Sequence, residues 1–289
     1  LSWTFHIRAH TWSDGKPVTA NDFVFAYRRI FDPKFAAEYR EILYPIKNAV
    51  KVSEGKLSLD KLGVSAPDAQ TLIIELENPA PYLPQLLTHY TAFPLPQHVV
   101  EKHKNEWVKP GKMVTNGPYM LLEWRPNDHI TLVKNPTFYD AANVKIDRVT
   151  FYPLEDDLAA LKRYRGGEVD IQERWPLTER KWLKENIPNE ARSFTYLGVT
   201  YATFNMTKKP FNDVRVRKAV AEAIDRHVLE KDIFFDSYGK EAFSFLPPGL
   251  GGVEHSAEVP YAKMTMDARR AEAKQLLAAA GYGPDKPLR

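Results

Sequence analysis

The segment Trp12-Ser13-Asp14-Gly15-Lys16-Pro17-Val18-Thr19-Ala20-Asn21-Asp22-Phe23-Val24 reads locally as strand, turn and helix in that order. Asp14-Gly15 is a tight-turn pair in which glycine tolerates positive φ, and Pro17 holds the next residues extended. Thr19 then stands at the N-cap. Its hydroxyl is placed to accept a first-turn amide, while Asp22, three residues on, completes a capping-box spacing and sets negative charge at the positive helix end. Phe23, Ala26, Tyr27 and Ile30 follow at i, i+3, i+4 and i+7, which predicts a helix over 19–30 with one apolar face.

The rest of the chain alternates in the same way. Leu1 to Ile7 is an alternating strand, 47–62 is Lys-rich and weakly patterned, and Thr71 to Leu76 is β-branched and apolar enough for a strand. Pro79, Pro81, Pro84, Pro94 and Pro96 punctuate a wandering connection with one short helix near 82–88. Tyr119 to Trp124 and His129 to Lys134 read as a hairpin, with Arg148 to Tyr152 as a further strand. A helix over 156–165 carries Leu158 and Leu161 on one side and is closed by Gly166, after which Val169 and Ile171 open another strand. Tyr201 to Asn205 begins a third section. It contains a helix from Asp213 to Phe234, with Asp213 as N-cap, Val216, Ala219, Val220, Ala223 and Ile224 on one face, and Glu222 and Arg226 paired outside at i, i+4. A last helix, Asp267 to Ala280, ends at Gly281. Strand and helix in alternation make an α/β arrangement.

Composition removes several classes of function. A chain of 289 residues with 44% hydrophobic residues suffices for one large or two smaller domains. No apolar run approaches the roughly 18 residues of a membrane span. Forty basic residues against 37 acidic ones leave a net charge of +3, too balanced to argue for nucleic acid or anionic lipid. The absence of cysteine excludes disulfides, thiolate metal sites and cysteine nucleophiles together. Nothing matches a P-loop, a Gly-x-Ser-x-Gly elbow, a His-Glu-x-x-His metal helix or a dinucleotide glycine pattern. Gly249, Gly251 and Gly252 follow Pro247-Pro248 and open no helix, so they mark a loop. Glu155-Asp156-Asp157 precedes a helix and reads as capping rather than as a carboxylate centre. His89, His98 and His103 lack the i, i+4 spacing of a helical metal pair and read as surface or packed histidines.

Five ordered motifs resemble the family 5 extracellular solute-binding proteins. They are the segment at 12–24, Asn116-Gly117-Pro118-Tyr119, Lys134-Asn135-Pro136-Thr137-Phe138-Tyr139, Tyr164-Arg165-Gly166-Gly167-Glu168-Val169-Asp170-Ile171, and Pro210-Phe211-Asn212-Asp213-Val214-Arg215-Val216-Arg217-Lys218-Ala219. The resemblance implies a periplasmic-binding-protein-like α/β fold of type II, the two-lobed Venus-flytrap arrangement with an extra small lobe. It further implies that the fold is incomplete here, with 1–96 mostly the small second lobe and its entry strand, 97–197 part of the first lobe, and 198–289 the start of the third. Because the chain opens inside a strand and stops just past a helix, the resemblance implies an internal piece without its signal peptide.

By resemblance the protein is a periplasmic receptor rather than an enzyme, without cofactor or metal, and a monomer when full length. It captures oligopeptides by hinge closure and passes them to an inner-membrane ATP-driven permease, with no role for nucleic acid. Murein peptide, an opine, a nickel complex or haem are ligands the same fold accommodates, and a carboxylate-based hydrolase of peptides or glycans is the alternative from another class.

A receptor that ignores side-chain identity must read peptide main chain and termini, leaving side chains in hydrated, aromatic-lined pockets. Tyrosine suits such pockets, since its ring is rigid and its tip polar. The resemblance puts Tyr39, Tyr196 and Tyr201 at pocket positions facing one cleft. It sets Glu173, Arg174 and Trp175 in a loop where a relative has a pocket tyrosine, and Gly198 where that relative has a disulfide cysteine. The groups that pair with the peptide termini are expected beyond Arg289.

Overall fold

The computed structural model describes all residues except 36, 193, 195, 235–238, 248, 252–256 and 289. Pro248 and Gly252 of the glycine-rich loop, and Arg289, lie outside the described residues. The chain divides into two compact units, Leu1–Pro153 and Leu154–Arg289.

The first unit is built on two three-stranded antiparallel sheets. One has the order β1–β3–β2, from β1 (Ser2–His6), β2 (Val64–Ser65) and β3 (Thr71–Glu75). Its register sets Phe5 opposite Leu72 and Trp3 opposite Ile74, so one face of the pleat delivers all four side chains to the core. Helix α1 (Ala20–Phe31) packs on β2 and β3 and buries Ala26, Tyr27 and Phe31. Leu43 and Ile46, Ala49 and Val52 of α2 (Ala49–Ser53) and Leu83 of α3 (Leu83–Leu86) join this cluster.

The first motif folds as its chemistry requires. Gly15 sits at φ +86° in a turn closed by its own N–H to the Trp12 carbonyl at 2.9 Å. Asp22 accepts the Thr19 backbone N–H at 2.8 Å and the Thr19 hydroxyl at 3.1 Å, completing the capping box. Asp22 is itself buried, and its other oxygen meets the Gln97 amide at 3.5 Å, at the start of α4 (Gln97–His103).

The second sheet is a meander of β4 (Tyr119–Arg125), β5 (His129–Lys134) and β6 (Arg148–Phe151). Asn135, fully buried after β5, explains why two separate motifs accompany each other. Its side-chain amide donates to the Gly117 carbonyl at 2.8 Å, its backbone N–H to the Pro118 carbonyl at 2.8 Å, and its side-chain oxygen accepts from the Thr137 amide and hydroxyl. One side chain therefore satisfies backbone groups of both turns, which a buried polar residue needs.

The second unit is helical among its described residues. Helix α5 (Asp157–Arg165) starts at Asp156, whose carboxylate accepts the Leu158 and Ala159 amides at 2.8 and 3.1 Å, so the acidic run is a cap. Leu161 is buried but Leu158 is 40% exposed, so the two do not share a packed face. Helix α6 (Arg180–Asn186) follows, with Leu183 inward. The expected strand at Val169 and Ile171 is absent. Ile171 is 82% exposed, and no ladder partner exists among the described residues, without which a β-branched pair has nothing to pair with.

Helix α7 (Val214–Ala223) is capped by Asp213, which accepts the Arg215 amide at 2.9 Å, but it does not reach Phe234. Ile224 turns extended and Asp225 starts α8 (Arg226–Val228) by accepting the Val228 amide at 3.2 Å, an aspartate offering the backbone a cap that competes with continuation. Helix α9 (Met266–Ala279), capped by Thr265, packs on α7, and Arg215 donates to the Ala279 carbonyl at its C-terminal end. This packing reverses another expectation. Glu222 is fully buried and Ala223 exposed, while Arg226 turns to the Ala221 carbonyl and the Tyr261 hydroxyl, so no Glu222–Arg226 pair forms. Among the described residues no helix is long and apolar enough to cross a membrane.

Candidate functional site

In the first unit, Tyr39 is held in an unusual backbone. Its φ of 59° and ψ of 10° lie in the left-handed region, costing a tyrosine about 1–2 kcal/mol that the surroundings must supply. The support lies just downstream, where Leu43 is fully buried and Tyr44 stacks on Phe31 at 6.3 Å, pinning the turn to α1. The result is a tyrosine ring 57% exposed at the edge of an aromatic cluster. The His89 and Tyr90 rings lie 5.9 and 6.4 Å from it, and 4.1 Å from each other. His89 is oriented by Thr91, through Nδ1 and the threonine hydroxyl at 3.0 Å. Its spacing from the other histidines gave no hint of this role. The signal that was available is the adjacent pair His89-Tyr90 within a proline-rich connection, where rings without a helical or strand period have no core face to occupy.

The remaining predicted residues belong to the second unit. Tyr201 is 58% exposed and packs edge-on against Phe245 at 4.8 Å, whereas Tyr196 is 88% exposed and makes no ring contact with Tyr201. The Tyr196 ring lies over Gly198 so closely that a Cβ there would stand 2.7 Å from it, so this ring position requires glycine. Glu173 and Arg174 are exposed and make no ion pair with each other, and Trp175 is half-buried. Phe194 and Leu197, close to these tyrosines in sequence, and Phe245, in ring contact with Tyr201, are also exposed.

His98 pairs with Asp14 at 2.7 Å, joining α4 to the turn before α1, and the Asp14 carboxyl, against the opposing effect of burial, is held below its ordinary value chiefly by that contact. Among the described residues one group has metal-ligand chemistry, His227, Glu230 and Glu241, with donor atoms within 4.8 Å of one another. Glu230 there already accepts the Glu241 amide at 3.0 Å and faces Lys231 at 3.4 Å.

Comparison with known proteins places the chain. The family model for bacterial extracellular solute-binding proteins, family 5 middle region, matches residues 1–288. The chain is 40% identical over 290 residues to the periplasmic oligopeptide-binding protein OppA of Salmonella typhimurium, covering 99% of this chain and 53% of that protein. Among solved structures, the Escherichia coli murein tripeptide-binding protein MppA aligns with a TM-score of 0.93 at 38% identity, over 99% of this chain and 56% of that one. Haemophilus influenzae OppA in complex with the peptide RPPGFSPFR aligns with a TM-score of 0.91 at 35% identity, over 99% and 56%. The chain belongs to the family 5 extracellular solute-binding proteins, and its α/β architecture is part of their periplasmic-binding-protein fold. It spans about half the length of the curated relatives it matches.

Proposed function

We propose that the chain is part of a receptor that captures oligopeptides in the periplasm by hinge closure and presents them to an inner-membrane ATP-driven permease. The observation that carries this reading is the family match over residues 1–288, with peptide-binding proteins among the relatives. Closure is a population shift: peptide touching both lobes stabilises the closed form, and no covalent step is involved. The division into 1–96, 97–197 and 198–289 as pieces of three lobes, and a monomeric full-length state, belong to the same proposal. Tyr39, joined by His89 and Tyr90, would contact ligand from the first unit, and Tyr196, Tyr201, Glu173 and Trp175 are the proposed ligand contacts of the second. The exposed Tyr39 ring on a turn anchored by Leu43 and Tyr44, and the exposed rings of Tyr196 and Tyr201, support this assignment. Murein peptide is the second reading, supported by the likeness to the murein tripeptide-binding protein.

Calorimetry of the full-length receptor with tri- to pentapeptides tests the proposal. Tyr39→Ala and Tyr201→Ala should each weaken binding by about five-fold to ten-fold, the worth of a stacked ring. Unchanged affinities would remove these residues from the site. A mixed peptide pool should return intact after long incubation, and new fragments would replace the receptor reading by the hydrolase. The 289-residue chain alone should bind far more weakly if, as the family resemblance implies, the partners of the peptide termini lie outside it; equal affinity would overturn that reading.

A further inference from the structure

In the second unit, α8 runs on into a π-helical turn, Leu229–Ile233, closed by the Phe234 amide on the Leu229 carbonyl at 2.9 Å. Such wide turns are rare and recur at functional sites. His227 and Glu230 stand three residues apart along it, the spacing that sets side chains on one helix side. The segment at 241–243 is tied back to this helix twice. The Glu241 amide donates to the Glu230 carboxylate at 3.0 Å, and the Arg226 guanidinium lies 4.8 Å from the Phe243 ring, which itself packs edge-on against Tyr261 at 6.2 Å. These ties bring an imidazole and two carboxylates together, one donor atom of each lying within 4.8 Å of the others.

Two carboxylates held this close favour a cation between them. Arg226 is engaged elsewhere, donating to the Ala221 carbonyl at 3.1 Å and the Tyr261 hydroxyl at 3.2 Å. Lys231 sits 3.4 Å from Glu230, while Glu241 forms no ion pair among the described residues. Glu230 keeps the capacity to coordinate, since a carboxylate offers about four lone-pair directions and the Glu241 amide and Lys231 meet different oxygens. Donors around a tetrahedral zinc stand about 3.3 Å apart, so rotation of the exposed His227 and Glu241 side chains closes the set on Glu230, whose side chain is only 10% exposed. An imidazole beside carboxylates suits a borderline cation such as Zn²⁺ better than Ca²⁺ or Mg²⁺, which take oxygen ligands.

We propose that His227, Glu230 and Glu241 bind a zinc-type divalent cation, solvent completing its coordination and the ion fastening the segment at 241 to the π-turn. The site lies within the second unit and does not depend on the peptide reading. Titration of the metal-free full-length protein with Zn²⁺, in competition with a fluorescent chelator, tests it. One equivalent should bind saturably, and millimolar Ca²⁺ or Mg²⁺ should fail to displace it. His227→Ala and Glu241→Gln, both at exposed positions, should each weaken the site about ten-fold or more, while melting as the wild type does without metal. Saturating Zn²⁺ should raise the melting temperature of the second unit in the wild type and not in His227→Ala. Absence of saturable zinc binding up to about 1 mM, binding that either substitution leaves intact, or displacement by Ca²⁺ would each overturn the proposal.

Discussion

Replacing Asp22 by Ala tests whether the capping box holds the first unit together or merely decorates it. The carboxylate receives the Thr19 amide at 2.8 Å, the Thr19 hydroxyl at 3.1 Å and, at longer range, the Gln97 amide at 3.5 Å, from a side chain only 7% exposed. Loss of a cap costs about 0.5–2 kcal/mol, and hydrogen bonds to a charged group contribute about 1.5–3 kcal/mol. These overlap, since the Thr19 contacts are the cap, so the expected loss is about 2 kcal/mol rather than their sum. Asp22→Asn keeps an acceptor but not the charge or its favourable position at the helix N-terminus, and should lose about 1 kcal/mol. A chain of two units need not unfold in one step, so the suitable assay is native-state hydrogen exchange of the α1 amides, which reads local opening free energy. In melting of the first unit, the Ala variant should lose about 4–8 °C. Protection of α1 within about 0.5 kcal/mol of the wild type in both variants would refute the argument.

Asp213→Ala should lower the melting temperature of the second unit by removing the α7 cap, yet leave peptide affinity of the full-length receptor unchanged; an affinity loss at unchanged melting would make Asp213 a ligand contact. Burial, and then the nearby Glu272 carboxylate, raise the Glu222 carboxyl above its ordinary 4.5, so the stability linked to its protonation is present below that value and lost as pH rises through the raised pKa. Glu222→Gln should therefore stabilise the second unit at neutral pH, with the gain fading as the solution is acidified, and a lower melting temperature at pH 7 would contradict this. Hydrogen bonding to Glu123, reinforced by Asp128, raises the His129 pKa above 6.5 against the opposing effect of burial. Its contribution to the β4–β5 hairpin is complete below 6.5 and is lost as pH climbs through the raised pKa, so His129→Gln should flatten the pH dependence of first-unit melting over that interval; an unaltered slope would show the contact to be inert.

Where the determining contacts are local, the amino-acid sequence by itself decided the structure. The Asp14-Gly15 turn, the Thr19–Asp22 box, the Asp156 and Asp213 caps and the β4–β5 hairpin each depend on residues within a few positions of one another, and each formed where its pattern placed it. Five short motifs in order also sufficed to identify the family, because turn and cap chemistry is specific at fixed spacing. What the tertiary structure alone decided involves partners far along the chain. Glu222 is buried because α9, some fifty residues later, covers that side of α7, and a helical wheel of α7 does not contain α9. Val169 and Ile171 have strand composition but, among the described residues, no neighbour to form a ladder with, and Asn135 becomes a buried staple only when the turns at 117 and 135 are brought together. The cluster of Tyr39, His89 and Tyr90 is of the same kind: fifty residues separate its members, and the positive φ that presents Tyr39 is maintained by Leu43 and Tyr44 docking on a core built from α1 and β3. Backbone propensity acts over one or two turns, whereas burial is a property of the assembled core, and that difference in range separates what could be read from the chain from what had to be seen folded.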